Sequence, residues 1–183
     1  MQTEVIMSGF GGQGLMSIGK LLALAGLDEG KEVTWLPSYG PEMRGGTANC
    51  TVVVGDAPIG SPLISTPKAA VVMNQPSLEK FAPSLRKGGL LVVNSSMIPI
   101  RSDRTDITSF RIRANHIAMD AGNKRAANLV MLGAYLGLDE IVSCASLVRA
   151  IKKTFASKKK FIDVNCRCFM KGYELARAGK SDD

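Results

Sequence analysis

The sequence predicts an α/β domain, with its strands in the first two thirds and a helical last third. Three observations carry this. Short apolar runs such as Glu4 to Ser8, Ala69 to Met73 and Leu90 to Asn94 alternate with segments whose apolar residues recur at helical spacing. Glycines and prolines punctuate the joins, and beyond residue 112 the pattern is mainly helical. The 183 residues, 45% hydrophobic and 21% charged, suit one core, so residues 1–183 are expected to form a single domain.

Glu4 to Ser8 reads as a buried strand. The turn Gly9 to Gly14 then leads into a helix carrying Leu15, Ile18, Leu21, Leu22 and Ala25, with Gly30 at its end. Val33 to Leu36 is a second strand closed by Pro37, and a polar, glycine-rich loop from Ser38 to Gly46 precedes a third strand, Ala48 to Val54. Gly55 to Pro67 contains three prolines and reads as an irregular excursion before the strand Ala69 to Met73. Pro76 fits the first turn of a helix that carries Leu78, Phe81 and Leu85 and stops at Gly88-Gly89. Leu90 to Asn94 is the next strand, and the alternation in Ile107 to Ile112 predicts a half-exposed edge strand. Helices are expected over Ala126 to Leu138, Ser143 to Phe155 and Phe161 to Ala178.

Composition excludes several classes. The longest apolar stretches are about a quarter of the roughly 20 residues that a membrane helix needs, and the first residues lack a secretory pattern, so a cytoplasmic protein is expected. Cys50, Cys144, Cys166 and Cys168 have neither disulfide-framework nor metal-ligand spacing, and reduced thiols with no metal site are expected. The net charge is +7. Its densest run, Lys152-Lys153 and Lys158-Lys159-Lys160, has no interleaved aromatics and reads as a solvated or protein-docking face, not a nucleic-acid platform.

Gly9-Phe10-Gly11-Gly12-Gln13-Gly14 matches G-x-G-x-x-G between a predicted strand and a predicted helix. Glycines admit positive φ and close approach of a phosphate, and the N–H groups at the following helix start present the positive end of its dipole. The competing reading is a tight turn that binds nothing. A nicotinamide or flavin site would also want an acid at the end of the second strand, where Trp35-Leu36-Pro37 stands, and this counts against a dehydrogenase acting alone. In the loop Ser38-Tyr39-Gly40-Pro41-Glu42-Met43-Arg44-Gly45-Gly46, Arg44 either forks onto an anionic group or pairs internally with Glu42. His116, the only histidine, sits on a predicted helix and reads as a hydrogen-bonded or surface residue. No residue is expected to be catalytic.

Together with Met73-Asn74-Gln75-Pro76 and Asn123 to Gly133, these segments make the chain resemble the gamma subunit of 2-oxoacid:ferredoxin oxidoreductases over nearly its full length, most closely the 2-oxoglutarate branch. The resemblance implies a Rossmann-like three-layer fold with a mostly parallel sheet. It also implies an enzyme that oxidatively decarboxylates a 2-oxoacid, reduces ferredoxin through iron–sulfur clusters and leaves an acyl-coenzyme A. Thiamine diphosphate and the clusters would lie in alpha, beta and, in some assemblies, delta subunits. Coenzyme A is expected at this chain, along Gly9, Gly11, Gly12, Gln13 and Gly14. Ser38, Tyr39, Gly40, Glu42, Met43, Arg44 and Gly45 would form the docking loop, with Asn74 beside it. Asn74, Asn123 and Asn128 match family positions, although capping accounts for each. The rival reading is a freestanding nucleotide- or coenzyme-binding module.

Overall fold

The computed structural model describes residues 2–39 and 47–182, apart from the side chain of Tyr39. Its strands are β1 (Gln2–Phe10), β2 (Glu32–Tyr39), β3 (Thr47–Gly55), β4 (Ala69–Val72), β5 (Leu90–Asn94) and β6 (Thr108–Ile112). Its helices are α1 (Leu15–Asp28), α2 (Gln75–Phe81), α3 (Ala114–Asp120), α4 (Ala127–Leu138), α5 (Cys144–Thr154) and α6 (Ile162–Arg177). The strands form one sheet in the order β2-β3-β1-β4-β5-β6. Pairings β1–β4, β4–β5 and β5–β6 are parallel, while β3 runs antiparallel to both β1 and β2.

The apolar runs are continuous because both faces of the sheet are covered. Val5, Met7, Val71 and Val92 point into a large core under α1 and α3 to α6. Their neighbours Ile6, Ala70, Val72, Leu91 and Val93 point into a smaller core with Leu78, Phe81, Leu85 and Ile98. The result is three layers of unequal thickness, as the fold expectation requires.

β1 runs from Gln2 to Phe10 and takes in the first glycine of the turn, instead of stopping at Ser8, and two further element ends differ from the sequence reading. Pro37 does not close β2, which continues to Tyr39. β2 lies at the edge of the sheet, where a missing N–H on the open side costs no ladder bond. The helix begun by Pro76 ends at Phe81 and does not reach Gly88, because Pro83 cannot donate to the carbonyl one turn earlier. The carbonyls left by that ending are collected by Arg104, whose guanidinium donates to Ala82 and Pro83 at 3.0 and 3.1 Å and to Leu85 at 3.1 Å. Leu85 remains in the core although it is outside the helix. β6 is an edge strand, yet it is exposed at Thr108 and Ser109 and buried from Phe110 to Ile112 instead of alternating. Residues near the C-terminus cover that end: Asp182 N–H donates to the Arg111 carbonyl at 2.9 Å, and Arg111 N–H donates to Ser181 Oγ at 3.0 Å.

α4 is buried at every residue from Ala127 to Gly137, since it lies between the sheet and α6. The two helices approach through glycines. A Cβ on Gly133 would overlap the Phe169 carbonyl oxygen, one on Gly172 would overlap the Val130 carbonyl oxygen, and one on Gly137 would stand 2.7 Å from the Tyr173 carbonyl oxygen. The opposing atoms are backbone and cannot rotate away. Gly133→Ala and Gly172→Ala should therefore each cost about 3 kcal/mol, read as a lowered midpoint in denaturant unfolding. A loss below about 0.5 kcal/mol would mean that the helices separate freely.

Candidate functional site

β1 and β4 are neighbours from which the chain leaves in opposite directions, so their carboxyl ends form the crevice where open α/β sheets gather ligands. The glycine turn lies there. Gln13 N–H donates to the Phe10 carbonyl at 3.2 Å and Phe10 N–H donates to Gln13 Oε1 at 2.6 Å, which closes the turn from both ends. Gly12 and Gly14 take φ of +89° and +77°, a region costing an L-residue about 1–2 kcal/mol. Gly14 is the N-cap of α1, with no side-chain cap and no acid in the first turn. The positive end of a 14-residue helix is thus left uncompensated by its own side chains.

Asn128 fixes this turn from outside. At the start of α4, its Nδ2 donates to the Gly14 carbonyl at 3.0 Å, and a Cβ on Gly14 would overlap that nitrogen. Facing the turn is a cleft of about 350 Å³ lined by Gly12, Gln13, Met73, Asn115, Lys124, Arg125, Ala127 and Asn128. Among the described residues no carboxylate lies within 4 Å of Lys124 or Arg125. The sequence reading missed Lys124, Arg125 and Asn115. The signal available for the first two was a pair of cations leading into the N-terminus of a helix, where positive charge is disfavoured.

The structure divides the expected residues. Gly11 and Gly12 are exposed at the turn, with Gln13 and Gly14 half-buried beside them. Gly9 is buried in β1, and a Cβ there would meet Gln13 Oε1 and stand 3.0 Å from Met73 Cβ, so it makes room for the turn and lines no cleft. Asn74 is 2% exposed and caps α2, its Oδ1 accepting from Ser77 N–H at 2.9 Å. Its Nδ2 has no hydrogen-bond partner among the described residues. Ser38 is exposed near the end of β2. Gly40, Glu42, Met43, Arg44 and Gly45 lie outside the described residues, as does the Tyr39 side chain. The anchor of that loop is defined, however, since Thr47 pairs with Phe10 beside the glycine turn.

His116 is exposed, its Nδ1 3.1 Å from Ser96 Oγ, and Asn115 holds the neighbouring position by accepting from Asn94 Nδ2 at 2.9 Å. The four cysteines are free thiols, and the described residues hold no group of three His, Cys, Asp or Glu that could bind a metal ion. No helix of the described residues is long and apolar enough to cross a membrane.

The topology bears on the dinucleotide reading. β3 stands between β1 and β2, which puts the end of β2 roughly 10 Å from β1 instead of about 5 Å. An acid at Leu36 or Pro37 would be one strand too far away to meet a ribose held at the glycine turn. Fold and cleft together define an α/β domain whose glycine turn, helix start and two cations without acidic partners among the described residues meet at one cleft.

The chain belongs to the pyruvate ferredoxin/flavodoxin oxidoreductase family, whose model matches residues 4–175. It is 42% identical over 181 residues to the ketoisovalerate oxidoreductase subunit VorA of Methanothermobacter thermautotrophicus, covering 96% of this chain and 37% of that longer protein. It is 34% identical over 180 residues to the 2-oxoglutarate synthase subunit KorC of Methanocaldococcus jannaschii, covering 97% and 95%. The gamma subunit of a keto/oxoacid ferredoxin oxidoreductase from Geobacter sulfurreducens has the same fold, with a TM-score of 0.88 and 29% identity over 97% of this chain and 98% of that one. The 2-oxoglutarate:ferredoxin oxidoreductase of Magnetococcus marinus, solved with 2-oxoglutarate, coenzyme A and succinyl-CoA bound, matches in fold with a TM-score of 0.89 and 23% identity, over 100% of this chain and 32% of that one.

Cys50 reports on the floor beneath the turn. It is fully buried in β3 and its Sγ–H donates to the Leu15 carbonyl at 3.4 Å. Burial pushes its thiol up to about 12, against smaller opposing contributions from Trp35 and Gly19. A thiol that stays protonated in the folded chain favours folding at neutral pH, and this is lost as pH rises from the unfolded value near 9 toward 12. Between pH 8 and 10 the wild type should lose about 1 kcal/mol more than Cys50→Ala, measured by urea unfolding. Parallel pH profiles would refute the burial of this thiol.

Proposed function

We propose that this chain is the gamma subunit of a cytoplasmic 2-oxoacid:ferredoxin oxidoreductase and that its glycine turn lines the entry path of coenzyme A. The assembled enzyme decarboxylates a 2-oxoacid oxidatively, passes the electrons to ferredoxin and leaves an acyl-CoA. Thiamine diphosphate and the iron–sulfur clusters belong to the alpha, beta and, in some assemblies, delta subunits, while this chain supports assembly and contributes no catalytic residue. The observation that carries coenzyme A to this chain is the meeting of three features: left-handed glycines, an uncapped helix start, and Lys124 with Arg125 left without acidic partners. Together they favour a pyrophosphate.

Ser38, Tyr39, Gly40, Glu42, Met43, Arg44 and Gly45 act as the docking loop toward the thiamine-binding subunits, supported by the anchor of that loop at Phe10. Asn74 keeps a buried donor directly after Met73, which lines the cleft.

The substrate is 2-oxoglutarate on the resemblance of the loop and of Asn74-Gln75-Pro76, and the match to KorC spans nearly that whole subunit. A branched 2-oxoacid is the second reading, favoured by the higher identity to the ketoisovalerate subunit, 42% against 34%. Co-purification from native extract followed by ferredoxin reduction with 2-oxoglutarate, 2-oxoisovalerate and pyruvate decides between them. Turnover of a 2-oxoacid by the chain without partners would sink the subunit reading.

Gly12 and Gly30 form a matched pair for testing the coenzyme path. Both have positive φ, +89° and +71°, and a Cβ on either meets nothing within 4 Å, yet only Gly12 lines the cleft. Gly12→Leu should raise the apparent KM for coenzyme A about tenfold in the assembled enzyme with little change in kcat. Gly30→Leu carries similar backbone strain and should leave that KM unchanged. Equal effects of the two would reduce the turn to packing.

A further inference from the structure

We propose that the groove between α3 and α6 is a self-association surface, on which two copies of this chain meet about a two-fold axis. The groove, about 480 Å³, has Ile117 and Leu175 on its floor and Asp120, Lys171, Glu174 and Lys180 on its rim. It shares no residue with the glycine-turn cleft, so the proposal is independent of the coenzyme path.

Both walls are fixed by the way their helices end. α3 stops at Asp120, where Ala121 N–H donates to the Ile117 carbonyl at 3.0 Å and the chain turns through Gly122 at φ +95°. α6 closes in a paired cap: Gly179, at φ +65°, donates its N–H to the Ala176 carbonyl at 3.0 Å, and Lys180 N–H donates to the Leu175 carbonyl at 3.0 Å. This cap folds Lys180 back beside Leu175 and places it on the rim. Met119, immediately before the rim residue Asp120, is 59% exposed, an apolar knob next to an apolar floor.

The charges of the rim select the occupant. Two acids stand against two lysines there, on a chain whose net charge is +7. None of the four has an opposite charge within 4 Å among the described residues, so each is left to meet one from outside. Two copies of a cationic chain repel each other over most of their surface, and a patch of balanced charge is where they can approach. The order of signs makes this patch complementary to itself. Lys171 and Glu174 are three residues apart and share one face of α6. A two-fold axis crossing the helix between them sets Lys171 of each copy against Glu174 of the other. Met119 beside the groove adds a knob and a hole on the same face, which is what such an isologous contact uses. An acidic partner would be drawn instead to the unbalanced cations elsewhere on the surface.

The test is analytical ultracentrifugation of the full chain and its charge-reversed variants at physiological ionic strength. Between about 5 and about 500 µM the wild type should show monomer and dimer in exchange, with a Kd of about 10–100 µM, as fits a contact below the standard interface size. Lys171→Glu and Glu174→Lys should each raise that Kd about tenfold, since each turns two attractive pairs into two repulsive ones. Both side chains are exposed, so the fold survives their reversal, and the unfolding midpoints should be unchanged. Mixing the two single variants should restore the dimer, and so should combining both reversals in one chain. Lys171→Glu is the sharpest arm. It lowers the net charge by two, and it would strengthen association if overall repulsion alone governed it. A wild type that stays monomeric throughout, single reversals without effect, or no recovery on mixing overturns the proposal. A monomeric chain whose assembly with partner subunits is weakened by Lys171→Glu overturns it as well, and gives the groove to one of those subunits.

Discussion

The backbone contact between α4 and α6 sets the position of everything at the cleft. Gly133, Gly137 and Gly172 let two helices meet with no side chain between them, and this draws α4 into the centre of the molecule with every residue from Ala127 to Gly137 buried. Asn128, the second residue of that helix, then reaches the Gly14 carbonyl across 114 positions of sequence. The same seat brings Lys124 and Arg125, in the turn just before α4, to the mouth of the glycine turn. The rigidity of α4 thus holds the glycine turn and the two cations in one arrangement.

Much of this fold is legible in the sequence because its signals are local. β4 and β5 are four- and five-residue apolar runs buried on both faces, and they are found at their expected places. Gly30 and Ser143 mark helix ends for reasons contained within a few residues: Gly30 has positive φ, and the Ser143 side chain accepts from Ser146 N–H at 3.1 Å. What escapes is nonlocal. Nothing within Thr47–Gly55 declares that the strand runs antiparallel between its neighbours, because pairing direction belongs to the partners. Pro37 misleads for the same reason, since its tolerance depends on which strand is at the edge. In the candidate site the glycines were legible through their spacing, while Asn115 was not, since its place in the cleft depends on a bond to Asn94 that only the β5–β6 pairing brings near.

The antiparallel insertion of β3 also explains why a nucleotide-type fingerprint can exist here without its usual ribose acid. With β2 displaced by one strand, a ligand at the glycine turn has no second-strand residue within reach on that side. Any further contact to such a ligand would have to come from the other side of the turn, where α4 stands.

Charge at the cleft follows from the same placement of α4. Lys68 pairs with Asp139 at 2.7 Å, Arg149 with Asp28 at 2.6 Å and Arg113 with Asp182 at 3.3 Å. Lys124 and Arg125 have no carboxylate within 4 Å among the described residues, and they share this with other cations such as Lys152 and Lys153 in the last turn of α5. What sets the two apart is position: they stand just before the start of α4, against the preference set by its dipole, whereas Lys152 and Lys153 stand at a helix end that favours them. The unfavourable choice is local to the cleft, and it is the part of the charge pattern that solvation of a basic surface does not account for.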